Sequence, residues 1–328
     1  MKTDFRALTP AEVIGELQKP MPTVVLFHVR PDGDAVGSAF ALSLWLAAMG
    51  SPAFCLSEDA VPSHLRFLSN GLQDSTDIAD LPVAFKNARV ISVDTAAPAQ
   101  LGKLYDAYAD RITLMIDHHG KGTPYADYLV CPAAAAAGEI VYDLIAASGV
   151  EMPPRSAELL YAAISADTGC FRFSNTTKET HLRAAALVET GIDTAEINRR
   201  LFDSKPYKTL LAEKAGFDRL HFYAGGRVAV VTMPYEIKAA LVLEEENLST
   251  LIDMARSVAG VDVAASLRQS EPGGAFRVSM RANAEIDVAA IAAAFGGGGH
   301  KRAAGCAVNA GTASEAEEQL VRAVLAAL

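Results

Sequence analysis

The sequence predicts an α/β fold whose N-terminal part contains a mostly parallel sheet. Short apolar segments rich in β-branched residues, at 22–29, 52–57, 88–94 and 111–117, alternate with segments of helical periodicity. This alternation is typical of parallel strands covered by helices on both faces. Several of the apolar segments also end in Asp or His. Ligands of such sheets bind beyond the carboxyl ends of the strands, so the pattern predicts a polar site there.

The other elements follow along the chain and change in character after residue 191. The predicted helices of the first part lie at 34–50, 138–148, 155–166 and 178–190. The second part has predicted strands at 227–233, 261–269 and 275–283 and predicted helices at 194–202, 206–218, 248–258, 287–295 and 313–327. Ser314 and Glu317 have the spacing of a capping box for the last helix. The alanine run at 133–137 is interpreted as a loop without a function of its own.

These patterns predict two domains. The first would span 1–190, a helical linker would span 191–215, and a smaller α/β domain would span 216–328. We place the predicted active site in the cleft between the two domains.

The composition excludes some classes of function. The chain has 328 residues, a formal net charge of −10 and no long basic run, which argues against coating long or duplex nucleic acid. The composition does not exclude a small phosphate ligand. The four cysteines show no CxxC spacing, as in reduced thiols of a cytosolic protein. No signal sequence or membrane-length apolar run is present. We therefore predict a cytoplasmic protein without a membrane partner.

The segment FHVRPDGDAVGS, residues 27–38, contains the first candidate ligands. His28, Asp32 and Asp34 fall within seven residues, between a predicted strand and a predicted helix. In a purely structural interpretation Asp34 caps the helix and Asp32 fills the turn. That interpretation explains the aspartates but not the histidine.

Three further apolar elements end in the same residue types. VISVD ends in Asp94, LMIDHH in Asp117, His118 and His119, and the helix ISAD in Asp167. Carboxylates gathered at one sheet edge repel one another unless cations neutralise them. Mixed Asp and His ligation suits Mn²⁺, with zinc, iron or magnesium less suited. The number of ligands is enough for two ions that share a bridging carboxylate.

Together these motifs resemble the DHH phosphoesterase family. HxxPDxDxxGS, VD, DHH and ADTG occur in that order, and FGGGGHKRAAG at 295–305 resembles the signature of the associated DHHA1 domain. The chain length is most similar to that of the nanoRNase/pAp phosphatase (NrnA-type) branch, since RecJ exonucleases are longer and family II pyrophosphatases lack the GGGH domain. One departure is SMRA at 279–282, where relatives have SxRS, which puts the contact of the final Ser in doubt.

The resemblance implies roles for individual residues. His28 and Asp32 would bind one metal ion, and Asp34, His118 and Asp167 the other, with Asp94 bridging both. Asp117 would orient a ligand, and His119 would face the scissile phosphate. In the second domain the substrate would contact Ser279, Arg281, Gly298, Gly299 and His300. The glycines would let the backbone approach a phosphate and form an anion nest. Arg268 is a weaker candidate for such a contact.

The implied activity is manganese-dependent hydrolysis of short oligonucleotides to nucleoside 5′-monophosphates. Two ions about 3.5–4 Å apart would activate a bridging hydroxide for in-line attack. The same pocket would accept 3′-phosphoadenosine 5′-phosphate (pAp) and release AMP. Two alternatives are a cyclic-dinucleotide (c-di-AMP) phosphodiesterase of the same family and a non-catalytic nucleotide sensor. The choice between RNA and DNA, the polarity of degradation and the oligomeric state, including a homodimer, are left open.

Overall fold

The computed structural model describes residues 4–328, which form two compact units, one reaching to Ser204 and the other spanning Lys205–Leu328. The helices of the first unit are α1 Pro10–Leu17, α2 Gly33–Ala48, α3 Arg66–Ser69, α4 Lys103–Tyr108, α5 Ala137–Ala147, α6 Pro154–Asp167, α7 Lys178–Glu189 and α8 Thr194–Asn198. Its strands are β1 Thr23–Leu26, β2 Ala53–Leu56, β3 Asp74–Ser75, β4 Arg89–Val93, β5 Ile112–Asp117 and β6 Asp127–Val130. No helix of the described residues is both long and apolar enough to span a membrane.

The sheet of the first unit is entirely parallel, with strand order β3-β2-β1-β4-β5-β6. Alternate residues of β1 enter different hydrophobic clusters: Val25 packs with α2, α5 and α6, and Val24 packs with α4. Helices therefore cover both faces, and the predicted α/β class is confirmed. The four strands predicted for this part are present, and the two edge strands, β3 and β6, were not predicted.

Helix α2 is held between the sheet and α6, and 12 of its 16 residues are buried. Its apolar residues consequently surround the helix instead of forming one stripe. A Cβ atom added at Gly37 would lie 2.5 Å from the carbonyl oxygen of Leu159 on α6. Glycine at this position lets the two helices approach closely, which fixes the N-terminus of α2 relative to the C-terminus of α6.

The second unit is a smaller α/β unit with a mixed sheet of order β11-β12-β10-β9-β8-β7. Its strands are β7 Leu220–Tyr223, β8 Val228–Met233, β9 Val263–Gln269, β10 Phe276–Ala282, β11 Gly298–His300 and β12 Ala303–Val308. Its helices are α9 Tyr207–Phe217, α10 Tyr235–Ala240, α11 Leu251–Arg256, α12 Val288–Ala293 and α13 Ala313–Leu325. Helices α12 and α13 pack on one face of this sheet, and α9 and α11 pack on the other. The predicted segment 191–215 is divided between the two units.

The predicted capping box of the last helix is wrong. The N-cap of α13 is Thr312, whose side chain accepts a hydrogen bond from the amide of Glu315. Glu317 is instead buried, and its carboxylate accepts hydrogen bonds from His221, Tyr223 and Thr232. These three donors hold it inside the unit, so it cannot turn back to a cap.

Candidate metal centre

The predicted ligands of the first unit converge at one edge of the parallel sheet. Strands β1, β4 and β5 are neighbours, and His28, Asp94 and Asp117–His119 lie at or just beyond their carboxyl ends. Asp32 and Asp34 lie at the N-terminus of α2, and Asp167 is the last residue of α6. Carboxyl ends of adjacent parallel strands share an edge, so the strand order explains why residues distant in sequence meet.

Asp94 lies at the centre of this group. Its Oδ2 is 3.4 Å from Nε2 of His28, and its Oδ1 is 3.5 Å from Nε2 of His118. The carboxylate is 2% exposed, and Oδ1 has no hydrogen-bond partner within residues 4–328. A buried carboxylate oxygen without a donor requires an explanation, such as a bound cation.

Two groups of potential ligands flank Asp94. His28, Asp32 and Asp94 form one group, and Asp34, His118 and Asp167 form the other; within each, the ligand atoms lie within 4.8 Å of one another. The first group has the same members as one ligand set that the family resemblance implied, and the second contains the other set without the bridging Asp94. Their metal-binding role remains a prediction. The ligand atoms of Asp94, His118 and His119 also lie within 4.8 Å of one another.

The backbone of the alanine run holds the buried Asp34. The amides of Ala137 and Gly138, at the N-terminus of α5, donate to the two carboxylate oxygens of Asp34 at 2.6 and 2.9 Å. Asn175 connects this run to α6, since its Nδ2 donates to the carbonyl oxygens of Ala135 and Asp167. Helix N-termini bind anions through such amides. The interpretation of 133–137 as a loop is confirmed for residues 133–136, and Ala137 already begins α5. The contact of its amide with Asp34 was not predicted, and the position of the run directly before a predicted helix was the one available signal.

The two adjacent histidines have different hydrogen-bond partners. Nδ1 of His119 donates to Oδ1 of the buried Asp117 at 2.8 Å, so its Nε2 is the nitrogen left for a ligand. Nδ1 of His118 lies 3.4 Å from the carbonyl oxygen of Ala134, and its Nε2 faces the aspartates. Asp117 was predicted to orient a metal ligand. Its hydrogen bond instead goes to His119, the residue predicted to face the phosphate.

The electrostatics of the group follow from burial and from charges in close proximity. Burial, assisted by the Asp94 charge, raises the pKa of Asp34 well above its usual value. Burial together with Asp32 raises the pKa of Asp167 to about 7. For Asp94, burial would raise the pKa, but the nearby imidazoles of His118 and His28 lower it. Without a cation the two histidines therefore supply the positive charge that the carboxylates require.

The histidines in turn hold their protons strongly. Burial lowers the pKa of His28, but hydrogen bonds to Asp32 and Asp94 outweigh this effect and raise it to about 10. In the same way, Asp94 outweighs the burial of His118 and raises its pKa to about 9. For His119 the hydrogen bond to Asp117 is the largest influence and raises the pKa.

Metal binding should release protons, because a metal ligand must be a neutral imidazole and both His28 and His118 are protonated at pH 7.5 in the metal-free protein. Affinity for Mn²⁺ should therefore rise with pH up to about pH 10, where His28 loses its proton. Titration calorimetry in buffers of different ionisation enthalpy measures the protons released. Identical binding heats in all buffers would contradict this prediction.

The predicted substrate contacts of the second unit share one region of its sheet. His300 on β11 is directly opposite Ala303 on β12, which is opposite Arg281 on β10. Gly298, Gly305 and Ser279, two residues further along each strand, form the next row on the same face. Directly opposite residues point to the same face, so His300, Arg281 and Ser279 lie on one face. Ala282 points to the other face and is buried.

The glycine run is partly a strand, since Gly298–His300 pairs with β12. A Cβ atom added at Gly299, whose φ is +144°, would lie 2.6 Å from the carbonyl oxygen of Ala303. Glycine is thus required here for close approach of β11 to β12. A phosphate contact at Gly298 or Gly299 remains a prediction.

Comparison with known proteins agrees with the fold and the motifs. The model of the DHH family N-terminal domain matches residues 22–164, and the model of the DHHA1 domain matches residues 226–328. The bifunctional oligoribonuclease and PAP phosphatase NrnA of Thermus thermophilus is 32% identical over 316 residues, which cover 96% of this chain and 92% of that protein.

Two other relatives extend the comparison. The protein of the same name from Bacillus subtilis is 28% identical, over 87% of this chain and 89% of that protein. The crystal structure of an exopolyphosphatase-related protein from Bacteroides fragilis has the same fold, with a TM-score of 0.87, 22% identity, and coverage of 97% of this chain and 95% of that one. The chain therefore belongs to the DHH family, with a C-terminal DHHA1 domain. Within that family it is similar to the NrnA proteins over nearly its whole length, and the resemblance inferred from the motifs is confirmed.

Proposed function

We propose that this chain is a manganese-dependent phosphodiesterase that hydrolyses short oligonucleotides to nucleoside 5′-monophosphates and also converts pAp to AMP. The observation that carries the proposal is the position of Asp94, buried between two ligand groups with one oxygen lacking a hydrogen-bond donor among residues 4–328. The names of the NrnA relatives, oligoribonuclease and PAP phosphatase, support phosphoester hydrolysis and both classes of substrate.

The residues of the centre fit two divalent cations. Carboxylates and imidazoles together suit Mn²⁺, and the proposed ligands are His28, Asp32, Asp34, Asp94, His118 and Asp167. Bound cations would place positive charge next to the phosphoryl oxygens and lower the pKa of a water nucleophile. The backbone amides of Ala137 and Gly138 keep Asp34 in place before any cation binds, so part of the centre is preorganised.

His119 is proposed to act on the phosphate directly. Asp117 accepts the proton of its Nδ1, which fixes the ring and leaves Nε2 free to donate when the imidazole is protonated. The raised pKa of His119 favours that protonated form. A fixed cationic donor stabilises the charge that develops on a phosphoryl oxygen during attack.

The second unit is proposed to bind the part of the substrate remote from the scissile phosphate. Arg281 and His300 lie in one row across the sheet and on one face. Guanidinium and imidazolium groups suit phosphate recognition. Binding energy from such remote contacts positions the reacting group and so contributes to turnover.

Arg281→Ala and His300→Ala should therefore impair cleavage of dinucleotides far more than cleavage of bis(p-nitrophenyl) phosphate, which has little remote surface to bind. Steady-state kinetics of both variants on both substrates test this. Arg322→Ala, on the exposed side of α13, is the matched control and should behave as wild type. Equal losses on both substrates would mean that these residues support the metal centre and do not contact the substrate.

One assay separates the proposed function from its alternatives. The full-length protein is incubated with Mn²⁺, or with EDTA, and with dinucleotides, longer oligonucleotides, pAp and cyclic dinucleotides in parallel. We expect Mn²⁺-dependent hydrolysis of dinucleotides and pAp. Preferential cleavage of cyclic dinucleotides would favour the c-di-AMP phosphodiesterase, and tight nucleotide binding without any turnover would favour the sensor. A cytoplasmic location, the exclusion of long duplexes and a homodimer stay predictions.

A further inference from the structure

The face of the second sheet that carries Ser279 and Arg281 continues into a third row of residues. Arg277 on β10 is directly opposite Arg268 on β9, and Ala307 on β12 is on its other side. Arg277 and Arg281 are four residues apart on one strand, and Ser279 lies between them. A strand rises about 3.3 Å per residue, so the row of Arg277 and the row of Arg281 are about 13 Å apart along the strand.

The two arginines of this row are an unusual pair. Like charges directly opposite each other on neighbouring strands are destabilising. The side chain of Arg268 is largely buried, and its Nε has no hydrogen-bond partner in the described part of the chain. Its Nη2 donates to Ser279 at 3.1 Å. Burial lowers the pKa of Arg268, and the charges of Arg277 and Arg281 lower it further.

Glu245, the carboxylate that interacts with Arg268, is shared with other groups. Glu245 attracts Arg268, but one of its oxygens already accepts hydrogen bonds from Lys238 and from Ser270. Arg277 is exposed. Two guanidinium groups on one face, one with a buried N–H that lacks an acceptor, are suited to an anion.

The neighbouring strand leaves room for that anion. The residues of β12 on this face are Ala303, Gly305 and Ala307, which are exposed or partly exposed and carry no long side chain. Helices α9 and α11 pack over the β8 and β9 side of the same face. The open part of the face is thus a strip of small residues bordered by arginines, in a chain whose net charge is −10.

We infer that Arg268 and Arg277 form a second phosphate subsite, which binds a phosphate beyond the scissile one in a single-stranded oligonucleotide longer than a dinucleotide. This inference rests on the proposed function for its substrate class. A dinucleotide without terminal phosphates carries only the scissile phosphate, so it offers none to this pair. Each added nucleotide brings one more phosphate. The subsite therefore makes the second unit sensitive to substrate length.

The kinetic test compares a dinucleotide and a pentanucleotide, both without terminal phosphates, as substrates of the full-length protein. Arg277→Gln and Arg268→Gln should lower kcat/KM for the pentanucleotide about tenfold, the scale of one charge-assisted contact, mainly through KM. The loss on the dinucleotide should be clearly smaller. Arg322→Gln removes the same charge from the opposite side of the sheet and should leave both values unchanged. Because Arg277 is exposed, its variant tests the subsite even if Arg268→Gln fails to fold.

A binding measurement separates this inference from the proposed function. Anisotropy of a fluorescein-labelled pentanucleotide is followed in EDTA over a series of KCl concentrations. Loss of one phosphate contact should reduce the slope of log K against log salt by about 0.7 in Arg277→Gln. A wild-type slope and affinity in that variant would overturn the subsite while leaving the proposed function intact. If the wild-type protein binds but cleaves neither substrate, the proposed function fails and a reduced slope still supports the subsite.

Discussion

Asp94→Asn should reduce Mn²⁺-dependent turnover to background while the protein remains folded. Asp94 lies within reach of both ligand groups, 3.4 Å from His28 and 3.5 Å from His118, so loss of its charge should affect both proposed cations. The substitution is nearly isosteric. The backbone φ of Asp94 is 57° and lies in the left-handed region, which Asn tolerates better than most residues. Turnover of a dinucleotide and Mn²⁺ stoichiometry measure the effect.

The control for this variant is Asp106→Asn, which removes an exposed carboxylate from α4 and should keep full activity. Circular dichroism and thermal unfolding of both variants establish that the fold is intact. Turnover of Asp94→Asn near the wild-type value would refute the assignment of Asp94 as the shared ligand.

His119→Ala should lower turnover by roughly a hundredfold or more, the effect of losing one preorganised donor, and should leave Mn²⁺ binding largely intact. The reason is the hydrogen bond from its Nδ1 to the buried Asp117, which fixes the ring and leaves Nε2 for the proposed contact with a phosphate. The expected signature is a reduced kcat with a nearly unchanged metal dissociation constant. Mn²⁺ titration followed by steady-state kinetics at saturating metal separates the two effects.

His118→Ala is the matched comparison, because it removes the same side chain one residue away. Nε2 of His118 is 3.4 Å from Asp167 and 3.8 Å from Asp34, so its loss should weaken Mn²⁺ binding first. Excess Mn²⁺ should then restore part of the activity of His118→Ala but not of His119→Ala. An equal loss of metal affinity in the two variants would show that the histidines do not divide these roles.

The fold and the candidate ligands could be predicted wherever the sequence shows a recognisable side-chain pattern. An apolar run ending in a charged group, as at Asp94 and Asp117, predicts both a buried strand and a polar cluster at its end. The short edge strands were harder to predict. Strand β3 has two residues, and β7 has four, of which two are exposed, so neither is long enough to show a recognisable alternation.

Interactions that depend on the backbone or on distant partners were not predictable. The amides that hold Asp34 belong to Ala137 and Gly138, and a backbone amide is present at every position except proline. The spacing of Ser314 and Glu317 suggested a cap, but Glu317 binds His221, Tyr223 and Thr232, which lie far away in sequence. Register also matters, since Arg268 and Arg277 become neighbours only when β9 pairs with β10.

The alanine run has a consequence for how this protein responds to genetic variation. Because Asp34 is held by main-chain amides and residues 133–137 are already alanine, alanine scanning cannot detect their contribution. Ala135, Ala136 and Ala137 are buried, so larger side chains would also disturb the packing. The informative replacement is proline at position 137, the first residue of α5, where proline is compatible with a helix and Ala136 before it is already extended, with φ −152° and ψ 153°. It deletes a single donor to Asp34. A segment without any polar side chain can therefore contain a position where proline is disfavoured because the backbone amide there donates to a buried carboxylate.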